Sequence, residues 1–238
     1  MWGTFACLTS PYRTFRGIVS DTSVQARDVT VTLSSLCTPT HAVSVVHYGG
    51  CVFGYWYMWG VMQSAPAHEV MQCVSGSALA AVVHACGCVV DEQIVICASL
   101  RHYVARNPMC VFTIVREWLM KILPADCAAR CKGRVHILVR SMCTCSVHSF
   151  TEWTDKRDLI ECLLVACSPL PTRYRAGIYM DCVRYTRTPA VRAPSRMVAY
   201  VPTKAQALML FQEGERDGRH FRQHNGLKQK VAAWSGLS

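Results

Sequence analysis

Charged residues are scarce in this chain, and acidic residues are the scarcer kind. Only 17% of the 238 residues are charged, 15 of them Asp or Glu, whereas 51% are hydrophobic. Disordered segments combine low hydrophobicity with high net charge, so the composition excludes an intrinsically disordered chain. The length is sufficient for one domain around a single hydrophobic core.

The 15 cysteines lack the paired C-x2-C spacing of a structural zinc site. Close pairs such as Cys86/Cys88 and Cys143/Cys145 are C-x-C, and other cysteines lie in apolar stretches, where a free thiol behaves as a small hydrophobic group. No set of metal ligands converges, so we expect no metal and no cofactor. Arginines follow the first apolar residues instead of preceding them, unlike in a signal peptide, so we expect an intracellular protein with reduced thiols.

One long run, residues 70–90, has no Asp, Glu, Lys or Arg and is long enough to span a bilayer. It contains polar residues, among them Gln72, Ser75 and His84, and no cluster of positive charge flanks it. A buried helix is therefore the better interpretation, and membrane insertion is the alternative.

Positive charge is concentrated toward the C-terminus. From Arg184 onward there are ten Lys or Arg against three acidic residues, in a chain of net charge +10. Such a segment favours anionic partners, either phospholipid head groups or nucleic acid, and a merely solvated basic surface is the alternative. Because no nucleic-acid reading module or set of interleaved aromatics accompanies it, we do not expect a nucleic-acid partner.

Short apolar runs alternate with helical patterns, which predicts a three-layer α/β/α domain with a central, mostly parallel sheet. The predicted strands lie within residues 42–50, 69–73, 133–142, 147–150 and 177–181, and the predicted helices within 51–65, 78–86, 112–124 and 155–167. The last segment, residues 203–227, predicts one or two helices, broken at Gly214 or Gly218 and closed by Gly226. We divide the chain into an irregular extension (1–40), the main domain (41–200) and a basic helical segment (201–238).

A glycine-bearing turn, "YGGCVFG", joins the first predicted strand to the first predicted helix; it contains Gly49, Gly50, Cys51 and Gly54. Free backbone N–H groups at such a turn, together with the helix dipole, can bind an oxyanion or a phosphate. A dinucleotide site would need an acidic residue about 20 positions later. Glu69 has roughly that spacing, but the glycine pattern fits a dinucleotide site poorly.

The stretch "CVSGS" lies between the second predicted strand and its helix. In a nucleophile elbow, a serine at such a turn exposes its hydroxyl and the next backbone N–H faces the developing oxyanion. The usual G-x-S-x-G motif has glycines where this chain has Cys73 and Ser77, which are both small. The motif alone leaves two interpretations open for Ser75: a nucleophile, or a serine that caps the following helix.

A serine nucleophile needs a base, and none of the nine histidines offers an obvious one. Asp181 ends a predicted strand, and an aspartate buried near a serine can take the serine proton directly. The alternative is an aspartate that only caps a turn.

Taken in order, these segments resemble the patatin-like phospholipase family, and most closely its adipose-triglyceride-lipase-like branch. The similarity runs over about residues 44–189 and more faintly to 227. "FTEWTDKRDLIECLLVACSPLPTRYRAGIYMDCVRYTRTP" is similar to the stretch that leads into the family's Asp-Gly-Gly motif, and "VREWLMKILPADCAARCKGRVHILVR" to the segment before it.

The resemblance implies a three-layer α/β fold and hydrolysis of acyl esters in triacylglycerol or phospholipid, without a metal. It implies that Ser75 attacks the ester, that Asp181 is its general base, and that the amides of Gly50 and Cys51 hold the oxyanion. The substrate would lie in a membrane or lipid-droplet surface that the protein contacts peripherally.

Five positions depart from the family pattern, where glycine is replaced by Cys51, Cys73, Ser77, Cys182 and Val183. Each added side chain would cost on the order of 1–3 kcal/mol if the native φ is positive. The sequence therefore also allows a catalytically inactive relative with a lipid-binding or regulatory role.

Overall fold

The computed structural model describes residues 45–51, 54–89, 111–182, 191, 193 and 202–235, with side chains as far as residue 224. The extension predicted over residues 1–40 and Val183 of the aspartate motif lie outside these ranges. Within them the strands are β1 (Val45–Tyr48), β2 (Val70–Val74), β3 (Val135–Ser141), β4 (Val147–Phe150), β5 (Thr172–Tyr174) and β6 (Gly177–Met180). The helices are α1 (Tyr55–Gln63), α2 (Gly76–Ala85), α3 (Val111–Ile122), α4 (Cys127–Cys131), α5 (Lys156–Cys167) and α6 (Lys204–Ser235).

The strands form one open, mixed sheet. β1, β2 and β3 are parallel neighbours, while β4 and β6 both pair antiparallel with β3 and β5 pairs with β6. Arg140 of β3 pairs with Val147 of β4 and also with Met180 of β6, so β4 and β6 occupy opposite edges of β3. Ile137 likewise pairs with both β2 and β4. The strands β2 and β6 therefore share one edge of β3 and run toward each other along it.

The two faces of this sheet differ in burial. Alternate residues of β1, β2 and β3, among them Tyr48, Cys73 and Ile137, are fully buried and belong to one core cluster that also contains side chains from all six helices. Residues of the other face form a separate small cluster of Val74, Leu138 and Cys182. The prediction of an α/β chain with a mostly parallel central sheet is confirmed, and the described helices share a single core with one face of it.

The last helix is continuous, so the break predicted at Gly214 or Gly218 and the end predicted at Gly226 are wrong. Gly214 and Gly218 allow α6 to lie directly against the backbone of α1. A β-carbon at Gly214 would overlap the carbonyl oxygen of Tyr57, and one at Gly60 would overlap that of Phe211. Glycine lowers helix propensity by only about 1 kcal/mol, which tertiary packing readily overrides.

The uncharged run over residues 70–90 does not form one helix. It is divided into the strand β2 and the helix α2 by the turn at Ser75. Among the described helices, none is both long enough and apolar enough to cross a membrane. The membrane-spanning alternative is not supported by this part of the chain, because a strand paired on both sides occupies the first quarter of the run.

Candidate active site

Ser75 stands at the sharp turn between the buried strand β2 and the buried helix α2. Its backbone has φ 57° and ψ −134°, a conformation that non-glycine residues adopt rarely and at a cost on the order of 1–3 kcal/mol. Its carbonyl oxygen accepts a hydrogen bond from Ala78 N–H at 2.9 Å, which begins α2 directly after the turn. A strained serine between a parallel strand and a helix is the backbone geometry of a nucleophile elbow.

The capping interpretation of Ser75 is not supported by the geometry. Its side chain makes no capping hydrogen bond to α2. Asp155, at the start of α5, shows the ordinary arrangement: its backbone is extended (φ −156°) and its carboxylate accepts from Asp158 N–H at 2.8 Å. Ser75 therefore holds a strained backbone without the hydrogen bond that would explain a serine at a helix start.

The four replaced glycine positions that the structure describes carry no such strain: Cys51, Cys73, Ser77 and Cys182. Among the described non-glycine residues, only Ser75, Cys145 and Arg175 have positive φ. Cys51, Cys73 and Cys182 are fully buried, so their side chains point into the protein. The backbone cost expected for a positive φ at these positions does not arise, because that φ is not present.

Ser77 connects the two halves of the site. Val74 N–H donates to Ser77 Oγ at 2.9 Å, and this hydroxyl lies 3.2 Å from the carbonyl oxygen of Tyr48 and 2.8 Å from that of Val74. Tyr48 directly precedes the glycine turn, and Val74 directly precedes Ser75. The hydroxyl thus bonds to main chain on both sides of the site.

Two of the four residues predicted at the oxyanion turn already use their amides. Gly49 N–H donates to the Val191 carbonyl at 3.0 Å, as part of the bridge between Tyr48 and Val191, and Gly54 N–H donates to the Cys51 carbonyl. Over the described ranges, the amides of Gly50 and Cys51 have no such acceptor. The donors available to a developing oxyanion are therefore these two, together with Gly76 N–H at the first position of α2, where helix amides lack partners. Residues 52 and 53 lie outside the described chain.

Asp181 is brought to the same place by the strand registers. Val74 pairs with Leu138, so the next residue of the parallel strand, Ser75, is level with Val139. Met180 pairs with Arg140 in the antiparallel sense, so Asp181 is also level with Val139. Ser75 comes directly after the end of β2, and Asp181 comes directly after the end of β6. Both strand ends lie on the same edge of β3 and face each other.

The pKa shifts of three buried thiols agree with this placement of Asp181. Burial raises the pKa of the Cys51, Cys167 and Cys182 thiols, that of Cys182 to about 12, and the nearby Asp181 carboxylate raises each further. All three thiols are therefore neutral at pH 7. Since the thiolate is the reactive form of cysteine, the hydroxyl of Ser75 has no competing sulfur nucleophile among them.

Asp181 is half-buried, and its N–H donates to the Ser168 carbonyl at 2.9 Å. Ser75 is only 4% exposed. Catalytic hydrogen bonds of free enzymes often shorten when substrate binds.

A buried polar network that the sequence did not predict lies behind the glycine turn. Tyr48 Oη donates to Glu69 Oε1 at 2.6 Å, and Arg222 of α6 donates to Tyr48 Oη at 2.8 Å and to Glu69 Oε1 at 2.9 Å. The ion pair joins the basic helix to Glu69 at the start of β2, and the hydrogen bond to Tyr48 joins it to β1, the strand that leads into the turn. Its partners are 153 residues apart, and no local pattern in the sequence signals such a pair.

A cavity of about 630 Å³ lies between the start of α5 and the β5–β6 hairpin, and Ser75 is not among the residues that line it. Arg157 and Arg173 line it, together with Asp158 and Arg175, which pair with each other at 2.7 Å. Within the described ranges, no group of three or more His, Cys, Asp or Glu is placed to hold a metal ion. All eleven cysteines of those ranges are free thiols.

Comparison with protein-family models, with curated proteins and with solved structures finds no match to this chain.

Proposed function

We propose that this protein is a serine acyl hydrolase of the patatin-like type, which cleaves ester bonds of triacylglycerol or phospholipid through a Ser75–Asp181 dyad. The observation that carries the proposal is the backbone of Ser75, held at φ 57° between a buried strand and a buried helix without a capping hydrogen bond. Strain of this kind is concentrated at functional sites, where it fixes the direction of a reactive group.

In the proposed reaction, Ser75 Oγ attacks the ester carbonyl while the Asp181 carboxylate takes its proton. The negative charge that forms on the carbonyl oxygen is stabilised by the amides of Gly50, Cys51 and Gly76. Aspartate can serve as the base without histidine, because a carboxylate within reach of the serine can accept its proton directly. The alcohol leaves with a proton, and water then hydrolyses the acyl-serine.

The test is hydrolysis of a p-nitrophenyl ester and of a glycerolipid by the purified protein. Ser75→Ala and Asp181→Asn should each lower kcat by at least about 1,000-fold, because both act on the transition state as one unit. Ser141→Ala is the matched control, since it removes a buried serine hydroxyl that lies in the β3–β4 hairpin. Equal rates for the wild type and all three variants would contradict the proposal.

A second candidate is a lipid-binding or regulatory protein without turnover. It is favoured by one observation, that Ser75 is only 4% exposed, which restricts the access of an ester to its hydroxyl. Binding to liposomes without ester hydrolysis, together with no covalent labelling of Ser75 by a fluorophosphonate, would favour this candidate over the hydrolase.

A further inference from the structure

The helix α6 packs on α1 through one face and exposes an apolar pair on its other side. The buried residues of its described part recur at spacings of three or four and form one face: Ala207, Phe211, Gly214 and Gly218. Leu208 and Met209, by contrast, are 39% and 67% exposed. Single exposed hydrophobic residues are ordinary, so the charges around this pair decide its meaning.

The basic residues of α6 surround the apolar pair. Lys204, Arg216 and Arg219 are exposed, and within the described ranges none of them has an ion-pair or hydrogen-bond partner. With about 3.6 residues per turn, Lys204, Leu208 and Arg219 share one flank of the helix, while Met209 and Arg216 lie opposite its buried face. We call these five residues the basic–apolar face.

The acidic residues of α6 lie away from the basic–apolar face. Glu213 and Asp217 occupy the other flank, where Asp217 accepts a hydrogen bond from Tyr57 Oη at 2.9 Å. Glu215 is half-buried, with its backbone against α1. The basic–apolar face therefore keeps an excess of positive charge, which complements an anionic surface.

The packing of α6 places its first turns at the end of the sheet that carries the candidate site. A β-carbon at Gly214 would overlap the carbonyl oxygen of Tyr57, and one at Gly218 would overlap that of Val61. The contacts thus advance along both helices together, so α6 runs parallel to α1, which begins directly after the glycine turn. At its far end, Arg222 pairs with the residue that precedes β2, at the opposite end of that strand from the candidate site.

We propose that the basic–apolar face docks the protein on the surface of a membrane that contains anionic phospholipid. Leu208 and Met209 insert among the head groups, and the three cations pair with lipid phosphates and carboxylates, the two contributions that hold interfacial helices. The docking needs no reaction at Ser75 and so goes beyond the proposed hydrolysis. Its consequence, that the glycine turn is held beside the lipid, rests on the proposed function.

Nucleic acid is the other polyanion that the three cations attract. Proteins bind single strands through aromatic side chains that stack on the bases, and the basic–apolar face has Leu208 and Met209 in their place. Aliphatic side chains gain free energy when they leave water for an apolar environment. A lipid surface is therefore the partner that fits both the charge and the apolar pair.

The experiment measures co-sedimentation of the full-length protein with vesicles of ether-linked phosphatidylcholine, alone or mixed with ether-linked phosphatidylserine at about 30%. These lipids contain no acyl ester, so binding is measured independently of the proposed reaction. Each cation near an anionic surface contributes roughly fivefold to the partition coefficient, so the variant Lys204→Gln/Arg216→Gln/Arg219→Gln should bind mixed vesicles about 100-fold more weakly. Leu208→Gln/Met209→Gln should bind them at least about 10-fold more weakly.

Two matched variants remove the same kinds of group from other exposed positions. Lys121→Gln/Arg157→Gln/Arg173→Gln removes three exposed cations and has the same net charge as the α6 triple variant. Met120→Gln/Leu170→Gln removes one methionine and one leucine that are 47% and 60% exposed. Both controls should keep the wild-type affinity, with circular dichroism used to check that every variant is folded.

A footprint on the wild type tests the face without any substitution. Peroxide converts an exposed methionine to its sulfoxide, and mass spectrometry follows each site separately. Mixed vesicles should slow the oxidation of Met209 several-fold and leave that of Met120 unchanged.

The outcomes separate the docking from the proposed function. Equal binding of the wild type to neutral and mixed vesicles, equal losses in the α6 and control variants, or an unprotected Met209 would overturn the docking and leave the hydrolase proposal intact. Binding to single-stranded DNA without binding to mixed vesicles would overturn it in the same way. Vesicle binding by a protein that hydrolyses no ester would support the docking and contradict the proposed function.

Discussion

Replacing Ser75 with glycine should make the protein more stable and at the same time inactive. The positive φ of 57° forces an L-residue into a conformation that glycine adopts freely. Ser75→Gly removes this strain together with the reactive hydroxyl, whereas Ser75→Ala removes the hydroxyl and keeps the strain.

The size of the effect follows from two opposing contributions. Relief of the backbone strain is worth on the order of 1–3 kcal/mol. The greater conformational freedom of glycine in the unfolded chain costs about 0.4–1 kcal/mol. The net gain in the free energy of unfolding should be on the order of 1 kcal/mol, which raises Tm by about 2–4 °C for a chain of this size. Ser75→Ala should lie within about 0.5 kcal/mol of the wild type.

The assay is urea unfolding followed by circular dichroism, with the midpoint and slope measured for each variant. Asp155 provides the matched control, because it begins α5 with an extended backbone and a capping carboxylate. Asp155→Gly should lose a few tenths of a kcal/mol and Asp155→Ala about 1 kcal/mol. Substitution by glycine should thus stabilise the protein at Ser75, before α2, and destabilise it at Asp155, before α5.

Either of two results would refute this reasoning about Ser75. If Ser75→Gly were less stable than the wild type, the backbone would carry no strain. If Ser75→Ala lost about 1 kcal/mol, the serine would be an ordinary helix cap.

Two further predictions concern the packing of α1 against α6 and the half-buried His84. Gly60→Ala should lower the free energy of unfolding by at least about 2 kcal/mol, because its methyl group would overlap a backbone carbonyl of α6; Gln212→Ala, on the exposed side of α6, should change it by less than about 0.5 kcal/mol. Burial, and then the positive charges of Arg134 and Arg222, lower the pKa of His84 to about 4 from its ordinary value near 6.5. The unfolded chain therefore binds a proton first as pH falls, so stability should decrease between about pH 6.5 and pH 4. His84→Gln should flatten that slope in urea unfolding, and an unchanged slope would contradict the assignment.

Local patterns were sufficient to predict most of the fold. The β-branched run before Gly49, the alanine-rich segment after Ser75 and the Asp155 cap each specify their element through neighbouring residues. The short elements α4 and β5 were not predicted, because three to five residues carry too little periodicity. The unbroken α6 was missed for a different reason: Gly214 and Gly218 are explained by a helix about 150 residues away, which no local pattern contains.

The residues of the candidate site follow from sequence motifs, whereas their arrangement does not. Sequence motifs selected Ser75 and Asp181, but only the registers of β2 and β6 on β3 bring them level with one another. The sequence also could not show which turn amides are already used, since the partner of Gly49 is the distant Val191. The strain expected at the replaced glycines depended on a φ angle, and that angle is set by the tertiary structure.

The central claim is that the Ser75 hydroxyl is a nucleophile. Its most direct test is incubation of the wild-type protein with a fluorophosphonate, followed by digestion and mass spectrometry of the peptide that contains residue 75. The account predicts one covalent adduct, located on Ser75 and lost in Ser75→Ala. An unmodified Ser75 in the folded protein, or an adduct that persists in Ser75→Ala, would contradict it.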